Sequence, residues 1–390
     1  MSRRRFLAQS IAAAAGCALD GPSLARVLAA QSCEDTPPAG ELLGTVPLTS
    51  DRPRATPFGE PVGGPGLDTR QFTDLSRITS ERLVTPTPEV FVRTATPPTV
   101  ATQASSWSVA LAGPTATPLP MGELRTAAVP MGAHLIECAG NNSPDNFGLL
   151  SVAEWAGVPL DDVARRLGSP SGSYGVLVTG VDDETQQARS SVAGASWVLP
   201  WTALTEQRPF LAVAMNGQPL PLEHGAPVRL VVPGWYGCSW IKWVREIRLV
   251  DANAAATSQM LEFAGRTHQN GQPELARDYA APLIDLAATP IRVEQRRVNG
   301  AIEYRIVGIV WGGSRPVAKL LIRFDARDTW KPLQVCPAPG THDAWSLWSY
   351  RWKPTEPGTY SISLKAADPS IRTRRLDLYF YTRRVRIDAV

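Results

Sequence analysis

The alternation of hydrophobic and polar positions changes character twice along the chain. Residues 32–72 are rich in Pro, Gly and Thr and show little periodicity, the pattern of a linker. Regular structure is expected from residue 73. Val90-Phe91-Val92-Arg93 reads as a strand that ends before Pro97-Pro98, and Trp107 to Ala112 alternates in strand rhythm. His134-Leu-Ile-Glu-Cys138 is an apolar strand that stops at Gly140. Asp161 to Gly168 has the signals of a short helix, with Asp161 as its cap and Gly168 as its stop. Gly175 to Gly180, Val228 to Pro233 and Ile241 to Val250 are candidates for central strands. These elements predict a mixed α+β domain over residues 73–255, followed by a poorly periodic connector over 256–285. From residue 286 short strands recur between turn signals: Tyr304–Trp311, Val317–Asp325, Ser346–Lys353 and Thr359–Ala367. Gly312-Gly313, Pro357-Gly358 and Asp368-Pro369 separate them, which predicts an all-β sandwich over 286–390 with Trp330, Trp345, Trp348 and Trp352 as core and interface.

Composition narrows the class. With 44% hydrophobic and 19% charged residues, the 390-residue chain can build ordinary cores. A net charge of +3 gives no ground for a nucleic-acid partner, and the basic residues form no stripe with aromatics. Residues 1–31 have the form of an export signal: Arg3-Arg4-Arg5-Phe6-Leu7, an alanine-rich apolar stretch and a small-residue exit. Paired arginines before Phe-Leu match the twin-arginine pattern, a route for folded proteins that implies a cofactor inserted before export. The expected location is the periplasm or the outer face of the cell membrane. Ala14-Ala15-Gly16-Cys17 is a weak lipobox and makes a lipid anchor at Cys17 an alternative.

The five cysteines, Cys17, Cys33, Cys138, Cys238 and Cys336, form no CxxC or zinc pattern. Cys138 stands out because an apolar strand delivers it to the small-residue stretch Ala139-Gly140-Asn141. On the residues alone its role stays open between packing, half a disulfide, a nucleophile and a metal ligand.

Four stretches, in order, resemble the sulfite oxidase family of molybdenum oxidoreductases, in particular its exported bacterial sulfite dehydrogenase-like members. They are Phe91-Val92-Arg93, Glu137-Cys138-Ala139-Gly140-Asn141, His224-Gly225-Ala226-Pro227-Val228-Arg229, and Val232-Pro233-Gly234-Trp235-Tyr236-Gly237 through Ile241-Lys242-Trp243. The resemblance covers residues 75–375. It implies an α+β molybdopterin-binding domain followed by an immunoglobulin-like domain that forms a homodimer. It implies one molybdenum-molybdopterin per chain, with Cys138 as the metal ligand; a soft thiolate suits that centre. Phe91, Val92, Arg93, Asp182, His224, Arg229, Trp240, Ile241 and Lys242 would contact the cofactor, His224 and Arg229 at its phosphate. Arg93 would also face an oxyanion substrate beside the metal, and Lys242 would join it in holding the anion.

The chain departs from the family pattern at three places. Ala95 stands where many members have histidine, and Asn142 and Ser143 stand where animal and plant members have basic residues. Phe263 falls in the connector at the position of the family's active-site tyrosine. The implied reaction is oxygen-atom transfer, oxidising sulfite or a related sulfur compound. No Cys-x-x-Cys-His haem motif occurs, so electrons would pass to a separate protein such as a c-type cytochrome. Two alternatives are an exported reductase of S-oxides such as methionine sulfoxide, and a non-catalytic exported binding module with a decayed cofactor site.

Overall fold

A computed structural model of the chain describes residues 39–50, 58–59, 62–63, 69–93, 104–113, 117–141, 147–168, 172–181, 195–335, 343–371, 373 and 381–390. The expected leader over 1–31 lies outside the described residues, as do Ala95, Asn142, Ser143 and Asp182. In chain order, β1 (Glu41–Val46), β2 (Leu48–Thr49), β3 (Val62–Gly63), β4 (Thr69–Gln71) and β5 (Val92–Arg93) come first. The larger elements of the α+β domain are β6 (Ser108–Ala112), β7 (Leu119–Pro120), α1 (Met121–Ala127), β8 (Val129–Glu137), β9 (Leu150–Pro159) and α2 (Leu160–Arg166). They continue with β10 (Ser173–Gly180), β11 (Ser196–Pro200), α3 (Trp201–Glu206), β12 (Phe210–Met215), β13 (Gln218–Pro219), β14 (Arg229–Val231) and β15 (Val244–Asp251). After α4 (Ser258–Phe263) come β16 (Ala287–Val298), β17 (Ala301–Trp311), β18 (Lys319–Arg323), β19 (Lys331–Gln334), β20 (Ser346–Trp352), β21 (Gly358–Ala366) and β22 (Arg383–Ile387).

Two larger sheets frame the first domain, in the orders β11-β10-β15-β6-β7 and β13-β12-β9-β8, with β14 also paired to β12. A small sheet β3-β4-β5 lies beside them. The alternation read around Trp107 holds: Val109 and Leu111 of β6 are buried and their neighbours are exposed. In β8 and β9 the antiparallel register ends with Glu137 opposite Leu150. Cys138 therefore leaves the sheet at a fixed point, its N–H donating to the Leu149 carbonyl at 2.9 Å.

Two expectations need correction. The short helix α2 begins at Leu160, and no side chain caps it. β9 runs extended to Pro159, so Asp161 is already helical and cannot take the extended backbone of a cap. It sits instead in the first turn, where acidic groups favour the dipole, and pairs with Arg165. The second correction concerns the linker assigned to residues 32–72. Inside it, β1 pairs with β16 and β2 pairs with β22. These are edge strands, and partners rather than their own periodicity set their register. Arg296 fixes the start of β1, its Nε donating to the Ala39 carbonyl at 2.9 Å and its Nη2 to the Gly40 carbonyl at 2.8 Å.

The second domain is a sandwich of two sheets, β1-β16-β17-β20 and β19-β18-β21-β22-β2. Trp345, Trp348 and Trp352 are buried in it as expected, while Trp330 is half-buried with Arg323 over its ring at 4.5 Å. Trp348 lies across Gly308, its cross-strand partner. A Cβ at 308 would come within 2.0 Å of that indole and 2.5 Å of the Thr289 carbonyl, so the tryptophan packs flat only over a residue without a side chain.

The sandwich is bonded to the first domain. Arg292 donates to the carbonyls of Ser76 and Ile78, and Trp345 Nε1 donates to Leu83 O at 2.8 Å. The Asp343 carbonyl accepts from Leu135 N in β8 at 2.6 Å. Phe147, Trp311 and Tyr381 form an aromatic cluster with centroids 5.3 to 6.3 Å apart, which sets the sandwich against the end of β8. Among the described residues no helix is long and apolar enough to cross a membrane.

Candidate active site

One cleft gathers all but one of the described candidate residues. Phe91, Arg93, Cys138, His224, Arg229, Trp240, Ile241 and Lys242 all line it, and its empty volume, mouth included, is about 980 Å³. That is at the upper end of the range for small-molecule sites. Val92 does not reach it: in the two-residue strand β5 its side chain alternates with those of Phe91 and Arg93 and is buried elsewhere. Asp182 cannot be placed, since it lies outside the described residues.

Cys138 is half-buried and opens onto the cleft. The Gly140 N–H donates to its sulfur at 3.3 Å, and the Asn141 N–H donates to its carbonyl at 2.9 Å, so the chain turns tightly around the thiol. Buried Asn141 locks this turn. Its Oδ1 accepts from the N–H groups of Gly148 and Leu149 at 3.1 and 3.2 Å, and its Nδ2 donates to Glu137 Oε1 at 2.9 Å. The other carboxylate oxygen of Glu137 accepts from Trp311 Nε1 of the sandwich at 2.9 Å. The second domain thus bears directly on the residue that precedes the thiol.

Cys238, a second thiol in the cleft, was not singled out by the sequence. It is buried, and burial pushes its pKa well above the ordinary value, so it remains a protonated thiol. Cys138, half-buried and open to the cleft at the end of its strand, is the ligand the geometry favours over fully buried Cys238. Among the described residues no cluster of three or more His, Cys, Asp or Glu could hold a metal alone. A centre that brings its own dithiolene and takes one thiolate from the protein matches this donor set.

The buried positive charge tests the rest of the cofactor. Arg229 is 4% exposed, with its Nη1 donating to the His224 carbonyl at 3.0 Å. Its Nε has no partner among the described residues. The rings of Trp155 and Trp240 stand 5.9 and 5.7 Å from its guanidinium carbon and supply cation–π attraction but no counter-charge. Burial lowers its pKa to about 9. A buried guanidinium with a spare donor is costly unless an anion meets it, and a pterin phosphate satisfies that requirement. The residues therefore fit the group. Trp155 lies on β9 among apolar neighbours and gave no sequence signal beyond core packing.

Lys242 lines the cleft and also bonds its backbone. Its ammonium donates to the carbonyls of Arg93 and Glu223 at 2.9 and 2.6 Å, which ties β5 to the His224 turn. It shapes the cleft wall and adds positive charge beside His224. Burial, with the charges of Lys242 and Arg229, lowers the His224 pKa to about 3. Between about pH 6.5 and 3 the unfolded chain binds a proton that folded His224 refuses. This stability is complete above pH 6.5 and is lost as pH falls through that window. Cofactor-free protein is expected to lose about 1.5 kcal/mol more than a His224→Gln variant between pH 6.5 and 5, measured by urea unfolding. Equal losses would count against a neutral buried His224.

Phe263, at the end of α4, lines the cleft without a hydroxyl. The remaining histidines among the described residues are tied into the structure. His134 Nε2 bonds the Met131 carbonyl at 2.8 Å, and His268 pairs with Asp285 at 2.6 Å.

Residues 95–258 match the oxidoreductase molybdopterin binding domain. Sulfite oxidase of Gallus gallus is 29% identical over 347 residues, spanning 80% of this chain and 74% of that protein. The human mitochondrial sulfite oxidase is 28% identical over 60% of this chain, which spans 46% of its length. The solved sulfane dehydrogenase SoxCD of Paracoccus pantotrophus shares the fold, with a TM-score of 0.59 at 17% identity, over 88% of this chain and 91% of that one. The domain match and these relatives support a molybdopterin-dependent oxidoreductase similar to the sulfite oxidases.

Proposed function

We propose that the protein oxidises sulfite, or a closely related sulfur oxyanion, by molybdenum-dependent oxygen-atom transfer and passes the electrons to a separate acceptor such as a c-type cytochrome. The observation that carries this is one cleft holding both a half-exposed thiol, Cys138, and a buried guanidinium with a spare donor, Arg229. When bound, the cofactor supplies the two-electron oxygen-atom transfer chemistry. The chain supplies position and field. Cys138 binds the metal, with its sulfur oriented by the Gly140 N–H. Arg229 and neutral His224 hold the phosphate, and Trp155 and Trp240 exclude water around that grip. Arg93, beside them in the cleft wall, offers charge to the anion.

In the same reading each chain carries one molybdenum-molybdopterin and no haem. It works outside the cytoplasm after twin-arginine export and pairs with a second copy through the sandwich. Protein isolated from a host that makes the cofactor should contain about one molybdenum per chain. It should reduce a c-type cytochrome rapidly when sulfite is added. The second reading, S-oxide reduction, draws support from Phe263, whose ring in the cleft lacks a hydroxyl to bond an oxyanion. Reduction of methionine sulfoxide by a reduced dye, without sulfite oxidation, would overturn the sulfite reading in its favour.

A further inference from the structure

We infer that Arg266 is a substrate-binding residue that gives the cleft its selectivity for a sulfur oxyanion over a neutral sulfoxide; the inference rests on the oxidase reading above. The turn Ala264–Arg266 follows α4 directly and carries this guanidinium back over the Phe263 ring, 5.4 Å from its centroid. Phe263 itself lines the cleft. A methyl group placed on Gly140 would lie 3.4 Å from Cys138 Sγ and 3.9 Å from Arg266 Nη1, so thiol and guanidinium flank one point at the Cys138 turn. The charge of Arg266 also acts on the buried Cys238 thiol in the same wall.

Arg266 is half-buried, and among the described residues no carboxylate forms an ion pair with it. Nor does the guanidinium serve a visible structural purpose beyond its contact with the ring. A fixed, planar, permanently charged fork over an apolar ring is suited to a pyramidal or tetrahedral oxyanion. It gives a neutral sulfoxide far less. Phe263 contributes the flat platform that holds the fork in place, a role a tyrosine hydroxyl would not add to.

The test uses the molybdenum-loaded protein, with metal content verified in each variant. Sulfate is the non-reacting probe and is titrated calorimetrically, in parallel with sulfite steady-state kinetics. Arg266→Gln should raise both the sulfite KM and the sulfate Kd about 10- to 100-fold, with kcat within about threefold of wild type. Arg266→Lys should recover only part of the loss, because the charge returns without the fork. KM and Kd within about twofold of wild type in Arg266→Gln would overturn the inference. So would failure of wild type to bind sulfate. If wild type binds sulfate through Arg266 yet does not oxidise sulfite, the inference stands and the oxidase reading falls.

Discussion

Cys138→Ser should lower turnover by at least about a thousandfold while the protein melts within a few degrees of wild type. The two halves of this result have separate causes. Serine offers a hard, protonated oxygen where the metal requires a soft thiolate, so the covalent link between chain and cofactor is lost. The fold has little at stake, since Cys138 is half-exposed and its backbone bonds to Leu149 and Asn141 do not involve the sulfur. Cys238→Ser is the control. That thiol is buried and held protonated, so its replacement should leave turnover within a fewfold of wild type. Steady-state sulfite oxidation, molybdenum content and a thermal melt decide the matter. Substantial activity in Cys138→Ser would refute the ligand assignment.

Glu137→Gln, one residue earlier, should do the opposite and strike stability first. The Glu137 carboxylate is 1% exposed and accepts from Asn141 Nδ2 on one oxygen and Trp311 Nε1 on the other. Glutamine keeps the shape but offers one acceptor. Its amide nitrogen must then face a donor, leaving two buried donors opposed and one bond lost. The loss is expected at about 2–4 kcal/mol in urea unfolding, an unusually large effect for an isosteric change. Molybdenum content should fall with it, because the Asn141 lock and the sandwich lose their common anchor next to the ligand. A variant with wild-type stability would show that the carboxylate does not join the two domains.

Some of this was legible along the chain. The strand into Cys138 and the short strands between Pro/Gly turns are local patterns, and local periodicity reports them well. The cysteine loop, the His224 turn and the Lys242 loop could be named as parts of one site because each is a compact motif. What joins them was not legible. Glu137 and Trp311 are separated by 174 positions, and nothing near either residue announces the other. Arg266 sat in a connector without period, and its approach to Gly140 arises only from the way α4 is docked. The charge of Lys242 could be read in the sequence, whereas its bonds to the Arg93 and Glu223 carbonyls could not. Residues 41–49 looked like a linker because edge strands need little hydrophobic alternation of their own when a finished sheet supplies the register.

The borrowed edge strands bear on the order in which the protein can be made. Because β1 joins β16 and β2 joins β22, the cofactor domain is inserted between the opening strands of the sandwich and the rest of it. On a ribosome, residues 41–49 emerge early and must wait, unpaired, until residues 287–387 have followed. Long-range closures of this kind form slowly. A chain stopped before residue 383 has no partner for Leu48-Thr49 and exposes the side of β21 that β22 would cover. Completion of the sandwich therefore reports that translation has passed through the whole catalytic domain, and a truncated chain advertises itself by its open edges.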